Sequence, residues 1–398
     1  MTIQANYQRT KLACYLGLVT QAISANFAPL LFLTFYRTYG ISYADLALIP
    51  LAFFLTQLLV DFLSAKFVDR IGYRKSIVMA QITSGAGLLM LSFVPDLCPN
   101  PFAGILICVI VYAIGSGLIE VLCSPIIEAC PFENKARMMS LLHSFYCWGQ
   151  VLTVAVSTAF FAIFGVSAWP TLACLWAVIP LGNALLFLRV PLYPVVPAGT
   201  EPLQPRRLFT SGTFWLLMLL MLCAGASEQA MSQWASAFAE SALGVTKTVG
   251  DIAGPCMFAV LMGTARALYG KFSAVIPLKK AMAGCAALCV CAYLLAALSC
   301  NPVAGLAGCA LCGFSVGIFW PGTFSTAAAE LPAYGTSMYA LMALAGDVGC
   351  SGGPTLVGFA ADAADGSLKP GLLAAIVFPL LILAGTGLLK GNRSHKKP

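Results

Sequence analysis

Charge is what this sequence has least of. Only 9% of its 398 residues are charged, against 60% hydrophobic. A soluble domain carries roughly 25% charged residues because its surface must be wet, so most of this chain's surface is expected to face lipid. Other absences narrow the function. There is no HExxH and no paired His and Asp at membrane depth, which leaves a membrane enzyme without a reacting constellation. No loop is long enough for the soluble signalling domain that a membrane sensor usually carries. The 16 cysteines lack His or Cys partners at zinc-ligand spacing. Cys309 and Cys312 form a CxxC, but inside an apolar run and not beside a soluble redox fold. They read as small packing residues, and neither a metal site nor a cofactor is expected. Cys98 and Cys300, both in outer loops, are the one pair placed for a disulfide. The first apolar run, after Arg9 and Lys11, is too long for a signal peptide and lacks a clear cleavage site, so it reads as a retained helix.

What is present is a series of long apolar runs. A spanning helix needs roughly 20 apolar residues, and barrel strands would be about ten and alternating. Runs bounded by charge or by Pro and Gly clusters predict twelve spans. The first six are Leu12–Tyr36, Tyr43–Ala65, Ser76–Val94, Phe102–Ala129, Met138–Phe164 and Trp169–Val190. The second six are Phe214–Ala239, Val249–Lys271, Ala281–Leu298, Val303–Glu330, Ser337–Ala361 and Gly371–Leu389. The expectation is an all-α membrane protein: twelve transmembrane helices in two pseudo-symmetric six-helix bundles, 1–190 and 213–398, joined by a Pro-rich linker at 191–212. Of the 22 Lys and Arg residues, only Arg37, Lys247 and Lys369 fall on one side and Arg266 falls within a span. The rest share the side of both termini, which is therefore expected to be cytoplasmic, in a cell membrane. The +7 net charge is scattered between spans and not gathered on one face, so no nucleic-acid partner is expected. The expected partners are the lipid bilayer and a small-molecule substrate, and the chain reads as a monomer.

The halves repeat. Ala65-Lys66-Phe67 aligns with Gly270-Lys271-Phe272, which sets Arg74-Lys75 on Lys279-Lys280 without a gap. Glu128…Pro131 at the end of helix 4 matches Glu330…Pro332 at the end of helix 10. Such parallel repeats, related by an axis along the membrane normal, occur in secondary transporters.

The loop between helices 2 and 3 reads Ala65-Lys-Phe-Val-Asp69-Arg70-Ile-Gly72-Tyr73-Arg74-Lys75. It resembles the signature loop of the major facilitator superfamily, with Ala65 in place of the leading Gly. The resemblance implies a gate in which Asp69, Arg70, Gly72, Arg74 and Lys75 hold the inner ends of two helices together and release them as the halves rock. Asp61, Glu128, Arg137, Arg266 and Asp347 are placed in the same gating set. Helix 4, with Gly115-Ser-Gly117-Leu-Ile-Glu120 and then Ser124-Pro125, is similar to the fucose/proton symporter branch. So are Gly225-Ala-Ser-Glu228 followed by Trp234 in helix 7, and Leu142-His143-Ser144-Phe145-Tyr146 in helix 5. That branch also has an acid in helix 1, where the nearest residue here is Asn26. In the superfamily, helices 1, 4, 7 and 10 line the cavity.

Three acids, Glu120, Glu228 and Asp347, and one base, Arg266, sit well inside spans. Each costs roughly 3 kcal/mol on insertion scales and is a functional candidate for that reason. Ser116, Glu120, Ser124 and Glu128 recur at helical spacing, as do Glu228, Ser232 and Ser236, and Asp347, Ser351 and Thr355. Such stripes line a wet cavity or bond packed helices to one another, and Asp347 also reads as a structural partner for Arg266. A carboxyl away from water holds its proton more readily, which is the chemistry proton symport needs. Glu120 and Glu228 are the candidate proton carriers. Asn26, His143, Tyr146, Gln229, Gln233, Trp234 and Trp320 join them as candidate substrate contacts, suited to a sugar or a similar polar solute. The expected function is secondary active transport, with a proton as coupling ion and sodium as the other candidate. The alternatives are an efflux pump for amphiphiles and a non-transporting sensor.

Overall fold

The computed structural model describes residues 3–132, 135–192, 209–272, 276–331 and 335–389. The side chains of Ala65, Lys66, Phe67, Asp69, Arg70, Glu128 and Arg137 lie outside the described part. Among the described residues every regular element is a helix. Helix 1 runs as Ile3–Asn26, a 3-10 turn Ala28–Leu31, and Phe32–Tyr39. Helices 2 to 6 are Tyr43–Ile71, Tyr73–Leu91, Pro101–Ala129, Lys135–Phe164 and Trp169–Arg189. Helix 7 is Gly212–Leu243. Helix 8 is Lys247–Asp251, a π-turn Ile252–Cys256 and Met257–Phe272. Helix 9 is Leu278–Leu298. Helix 10 is Pro302–Val316 and Phe319–Glu330. Helix 11 is Gly335–Asp362, and helix 12 is Leu368–Ala375 with Val377–Leu388. Ten of the twelve are long and apolar enough to cross a membrane. Helix 3 has the length but opens on Arg74 and Lys75, and helix 11 has it but is diluted by Gly, Ser and Asp347.

The breaks have local causes. Pro29 has no N–H to give, and the first span, expected to be continuous, is interrupted there by the 3-10 turn. Pro255 sits inside the π-turn of helix 8. The starts and stops repeat between the halves. Helices 1 and 7 both end at a glycine with φ +67°, Gly40 and Gly244, where a left-handed cap suits Gly. Two residues on, Ser42 and Thr246 accept from the amides of Asp45 and Val249 and cap helices 2 and 8. Helices 4 and 10 both begin Asn-Pro, with Asn100 and Asn301 as the capping side chains. Asn at the cap and Pro just inside it satisfy or remove amides that the first turn leaves orphaned.

Burial sorts the helices into inner and outer. The apolar windows of helices 1, 7, 10 and 4 are 94, 72, 61 and 56% buried, while the other six measured are at 39 to 44%. The four are those the resemblance places around the cavity. The outer helices present Phe62, Val178, Leu185, Leu298 and Leu388 outwards, the apolar exterior that lipid requires. All 16 cysteines are free, Cys98 and Cys300 included, so the outer-loop pairing is not made. Helices 2 and 11 pack on each other across the two halves, as do helices 5 and 8. Twelve alternating spans return the chain to the side on which it began, called below the terminal face.

Helix 11 also lies against helix 7, and small residues let the two backbones meet. A Cβ at Gly349 would land on the carbonyl of Leu222, and one at Gly353 on that of Ala226. Gly352, one position away, faces open space. Gly349→Ala is therefore expected to destabilise the protein by about 1–3 kcal/mol, seen as a lower thermal unfolding midpoint in detergent. Gly352→Ala should leave that midpoint where it is.

Candidate functional site

Between the halves lies a cavity of about 140 Å³. From the first half it is lined by Leu18, Gln21 and Ala25 of helix 1, Phe53, Phe54 and Gln57 of helix 2, Glu120 and Ser124 of helix 4, and His143 and Tyr146 of helix 5. From the second half come Glu228 and Gln229 of helix 7, Arg266 of helix 8, Trp320 of helix 10, and Asp347 and Cys350 of helix 11.

Glu120 is held by amides alone. Gln21 Nε2 donates to its Oε2 at 2.7 Å, and Gln57 Nε2 donates to the same oxygen. Both donors are neutral, so no cation fixes the carboxylate charge. One turn on, Ser124 lies 3.4 Å from His143 Nε2. Of the helix 4 stripe, Glu120 and Ser124 line the cavity, whereas Ser116 is fully buried and the Glu128 side chain lies outside the described part.

Glu228 is held differently. Arg266 Nη2 is 3.6 Å from Glu228 Oε2. Arg266 also donates from Nε to Gly317 O at 3.1 Å and from Nη1 to Cys147 Sγ at 3.1 Å, the latter across the halves. The partner of Arg266 is thus Glu228 and not Asp347. Gln229 Nε2 donates to Glu228 Oε1 at 3.4 Å, and Gln233 Nε2 donates to Gln229 Oε1 at 2.9 Å and to Ala25 O at 3.3 Å. Gln233 is therefore a support beneath Gln229, outside the cavity wall. Asn26 donates to Ala22 O at 2.8 Å within its own helix, and the helix 1 residue that reaches Glu120 is Gln21. Trp234 is fully buried, gives its N–H to Pro354 O at 2.9 Å and packs on Phe32 and Tyr43. It is a packing residue away from the cavity, not a ligand contact of this conformation.

Away from the terminal face a second polar group joins the halves. Asp251 has no exposed surface. It pairs with Lys247 at 3.1 Å and accepts from Thr158 Oγ1 of helix 5 at 3.2 Å and from Ser236 Oγ of helix 7. Lys247 Nζ also donates to Leu30 O of helix 1 at 2.6 Å. Nearby, the exposed Arg37 of helix 1 meets the largely covered Glu240 of helix 7 at 2.9 Å, a further tie between the halves. Sequence reading missed this closure, although Lys247 and Asp251 stand four residues apart at the start of a helix.

Of the residues assigned to the gate, the side chains of Asp69, Arg70, Glu128 and Arg137 lie outside the described part. Gly72 sits between helices 2 and 3 at φ +88° with open space around it, so its backbone conformation, not close packing, calls for Gly. Arg74 donates to Phe187 O at 2.7 Å and Leu188 O at 3.0 Å, capping the end of helix 6 within its own half. Lys75 is exposed. Asp61 and Asp347 face each other across helices 2 and 11.

Residues 13–354 match the Major Facilitator Superfamily. The chain belongs to that superfamily. It is a multi-pass membrane protein and a transporter. No protein of curated function matches it by sequence. Among solved structures, a bacterial homolog of the human lysosomal transporter Spinster, inward-facing and occupied, superposes with TM-score 0.77 at 15% identity, over 96% of each chain. The nucleoside transporter NupG gives 0.74 at 13% identity, over 96% of this chain and 100% of that one. The E. coli fucose:proton symporter gives 0.65 at 16% identity, over 96% and 98%. At these identities the likeness is one of fold.

Among the described residues, the superfamily transporter thus sets one ion pair, Glu228 with Arg266, in the wall of its cavity. Removing one partner of such a pair costs about 3–5 kcal/mol, because the other charge is left unpaired. Arg266→Gln is expected at the lower end, about 3 kcal/mol, since the arginine is partly exposed. The Glu228→Gln/Arg266→Gln double variant should lose less than the two single losses together. Thermal unfolding of the four proteins closes this cycle.

Proposed function

We propose that the chain is a proton-coupled symporter for a small polar solute, a sugar or a similar metabolite, working by alternating access across a cytoplasmic membrane. The observation that carries this is the cavity itself. Its volume of about 140 Å³ is below the roughly 300–1,000 Å³ of pockets for drug-sized ligands, which favours a compact solute over an amphiphile. Its wall offers amides from Gln21, Gln57 and Gln229, hydroxyls from Ser124 and Tyr146, and the ring of Trp320. That mixture suits a polyhydroxylated ligand, with hydroxyls bonded at the rim of an apolar or aromatic face. Two of the fold relatives point the same way, the fucose:proton symporter and a D-xylose-proton symporter.

Glu120 is the residue assigned to carry the proton. Glu228 is neutralised by Arg266, so its charge is balanced on the spot. Glu120 takes its hydrogen bonds from amides and has no cation paired with it, so gaining or losing a proton changes the net charge of the cavity. Its two amide donors are also the groups a sugar hydroxyl would compete for, which ties proton and substrate occupancy together. Asp69 and the basic residues after it remain the proposed gate on the terminal face.

The test is uptake of a panel of labelled sugars by proteoliposomes, with and without an inward-acid pH gradient. Glu120→Gln is expected to abolish gradient-driven accumulation and to keep exchange of the accepted sugar down its own gradient. Accumulation that survives with an unchanged pH profile would overturn the assignment. Orientation is tested separately. The Lys and Arg bias puts both termini and the linker at 191–212 in the cytoplasm. A reporter active only outside the cell, fused within that linker, should stay silent.

A further inference from the structure

Two carboxyls at the boundary between the halves, one of them half-buried, are left over once Glu120 and Glu228 have their partners. Asp61 of helix 2 and Asp347 of helix 11 belong to opposite halves, and their side chains stand within hydrogen-bonding reach of each other. Asp347 is 2% exposed and lines the cavity. Asp61 Oδ1 and Asp347 Oδ2 are both buried, and no donor among the described residues reaches either. An ionised carboxylate can only accept. Two carboxylates in contact away from water therefore satisfy each other only when one of them holds a proton, and two like charges at such range do not both persist.

The surrounding groups supply no other remedy. Glu120 of helix 4 acts on both aspartates as a further acid, and Cys350 lies one turn along from Asp347. Arg266, the one cation among the described lining residues, is engaged by Glu228, Cys147 and Gly317. His143 and Tyr146 of helix 5 complete the titratable wall. Helices 3 and 12 contribute nothing to the described lining, and helix 10 contributes Trp320. What the two orphaned acceptor oxygens lack is a donor, and a shared proton supplies one.

We propose that Asp61 and Asp347 share a single proton and form a second proton site, built across the two halves, whose loss drives helices 2 and 11 apart. With the proton in place the two helices are bonded. Without it, two carboxylates repel across the boundary on which the halves rock. The site rests on the reading of the chain as a proton-coupled transporter, and it would make the rocking motion itself sensitive to proton occupancy, separately from Glu120.

The purified full-length protein tests this without knowledge of the substrate. Infrared spectra are recorded against pH for the wild type, Asp61→Asn, Asp347→Asn, the double Asn variant and Glu120→Gln. A protonated-carboxyl band that fades as pH rises should vanish in both single Asn variants and persist in Glu120→Gln. The thermal unfolding midpoint should fall through the same pH range in the wild type and stay level in the double Asn variant, whose amides bond at every pH. A band that is present in Glu120→Gln and survives each single Asn substitution made in that background overturns the proposal, as does a double Asn variant that tracks the wild-type pH profile. Loss of the band in Glu120→Gln alone would also overturn it while leaving Glu120 as carrier, and the uptake assay judges that assignment independently.

Discussion

A charge inside the bilayer must find a partner in the protein, because lipid offers none. At roughly 3 kcal/mol each on insertion scales, the buried charges here are affordable only where another side chain answers them. That constraint organises the molecule. Asp61, Glu120, Glu228, Arg266 and Asp347 all converge on the boundary between the halves, and Lys247 with Asp251 does so further from the terminal face. Each half is a largely apolar bundle, and the described charges at membrane depth lie on the surface it turns to the other half. The seam between the halves is therefore both the most polar part of the interior and the part able to come apart.

Packing enforces the same division. Within a half, ties are short and independent of charge state. Arg74 caps helix 6, Asn183 donates to Ala13 O at 3.0 Å, and Tyr293 donates to Ser227 O at 2.7 Å. Helices 7 and 11 meet backbone to backbone through Gly349 and Gly353. Across the halves the ties run through groups that have other options: an arginine on a thiol, Gln150 donating to Ser232 Oγ at 2.9 Å, a lysine on a carbonyl. Such contacts exchange for water or solute without breaking a core. Rigid bundles with a negotiable seam are what alternating access needs.

The sequence made the spans legible because their signal is length and apolarity, which no tertiary contact can override in lipid. The repeat was legible for a related reason: caps and loop charges are local. Asn100 and Asn301 as caps of helices 4 and 10 are equally local, each standing just before a Pro at the first helical position. What sequence could not supply was direction around the helix axis at the seam. Asn26 and Gln21 both lie in helix 1, yet only Gln21 points at Glu120. Trp234 lies six residues from Glu228 and faces a different neighbour. Gln57 stands one turn before Asp61 on the same face, a hint that becomes meaningful only once helix 4 is set beside it. Arg266 had two acids to choose from, and only the crossing of helices 7 and 8 decides for Glu228.

The choice of Arg266 has consequences beyond its own pair. Among the described residues, one cation, Arg266, stands beside Glu228, Glu120 and Asp347 of the cavity wall and Asp61 next to it, so this group is not neutral with every carboxyl ionised. Because Arg266 commits to Glu228, the unbalanced charge is confined to Glu120, Asp61 and Asp347, which adjoin one another. Two of these lie on helices 2 and 4 of the first half and one on helix 11 of the second. Any proton that enters to relieve that imbalance must bind at the point where the halves touch. In the proposed proton-coupled symporter, coupling would then need no long relay: the unbalanced charge and the surface between the halves are the same place, and a change in protonation would act directly on the contact between helices 2 and 11.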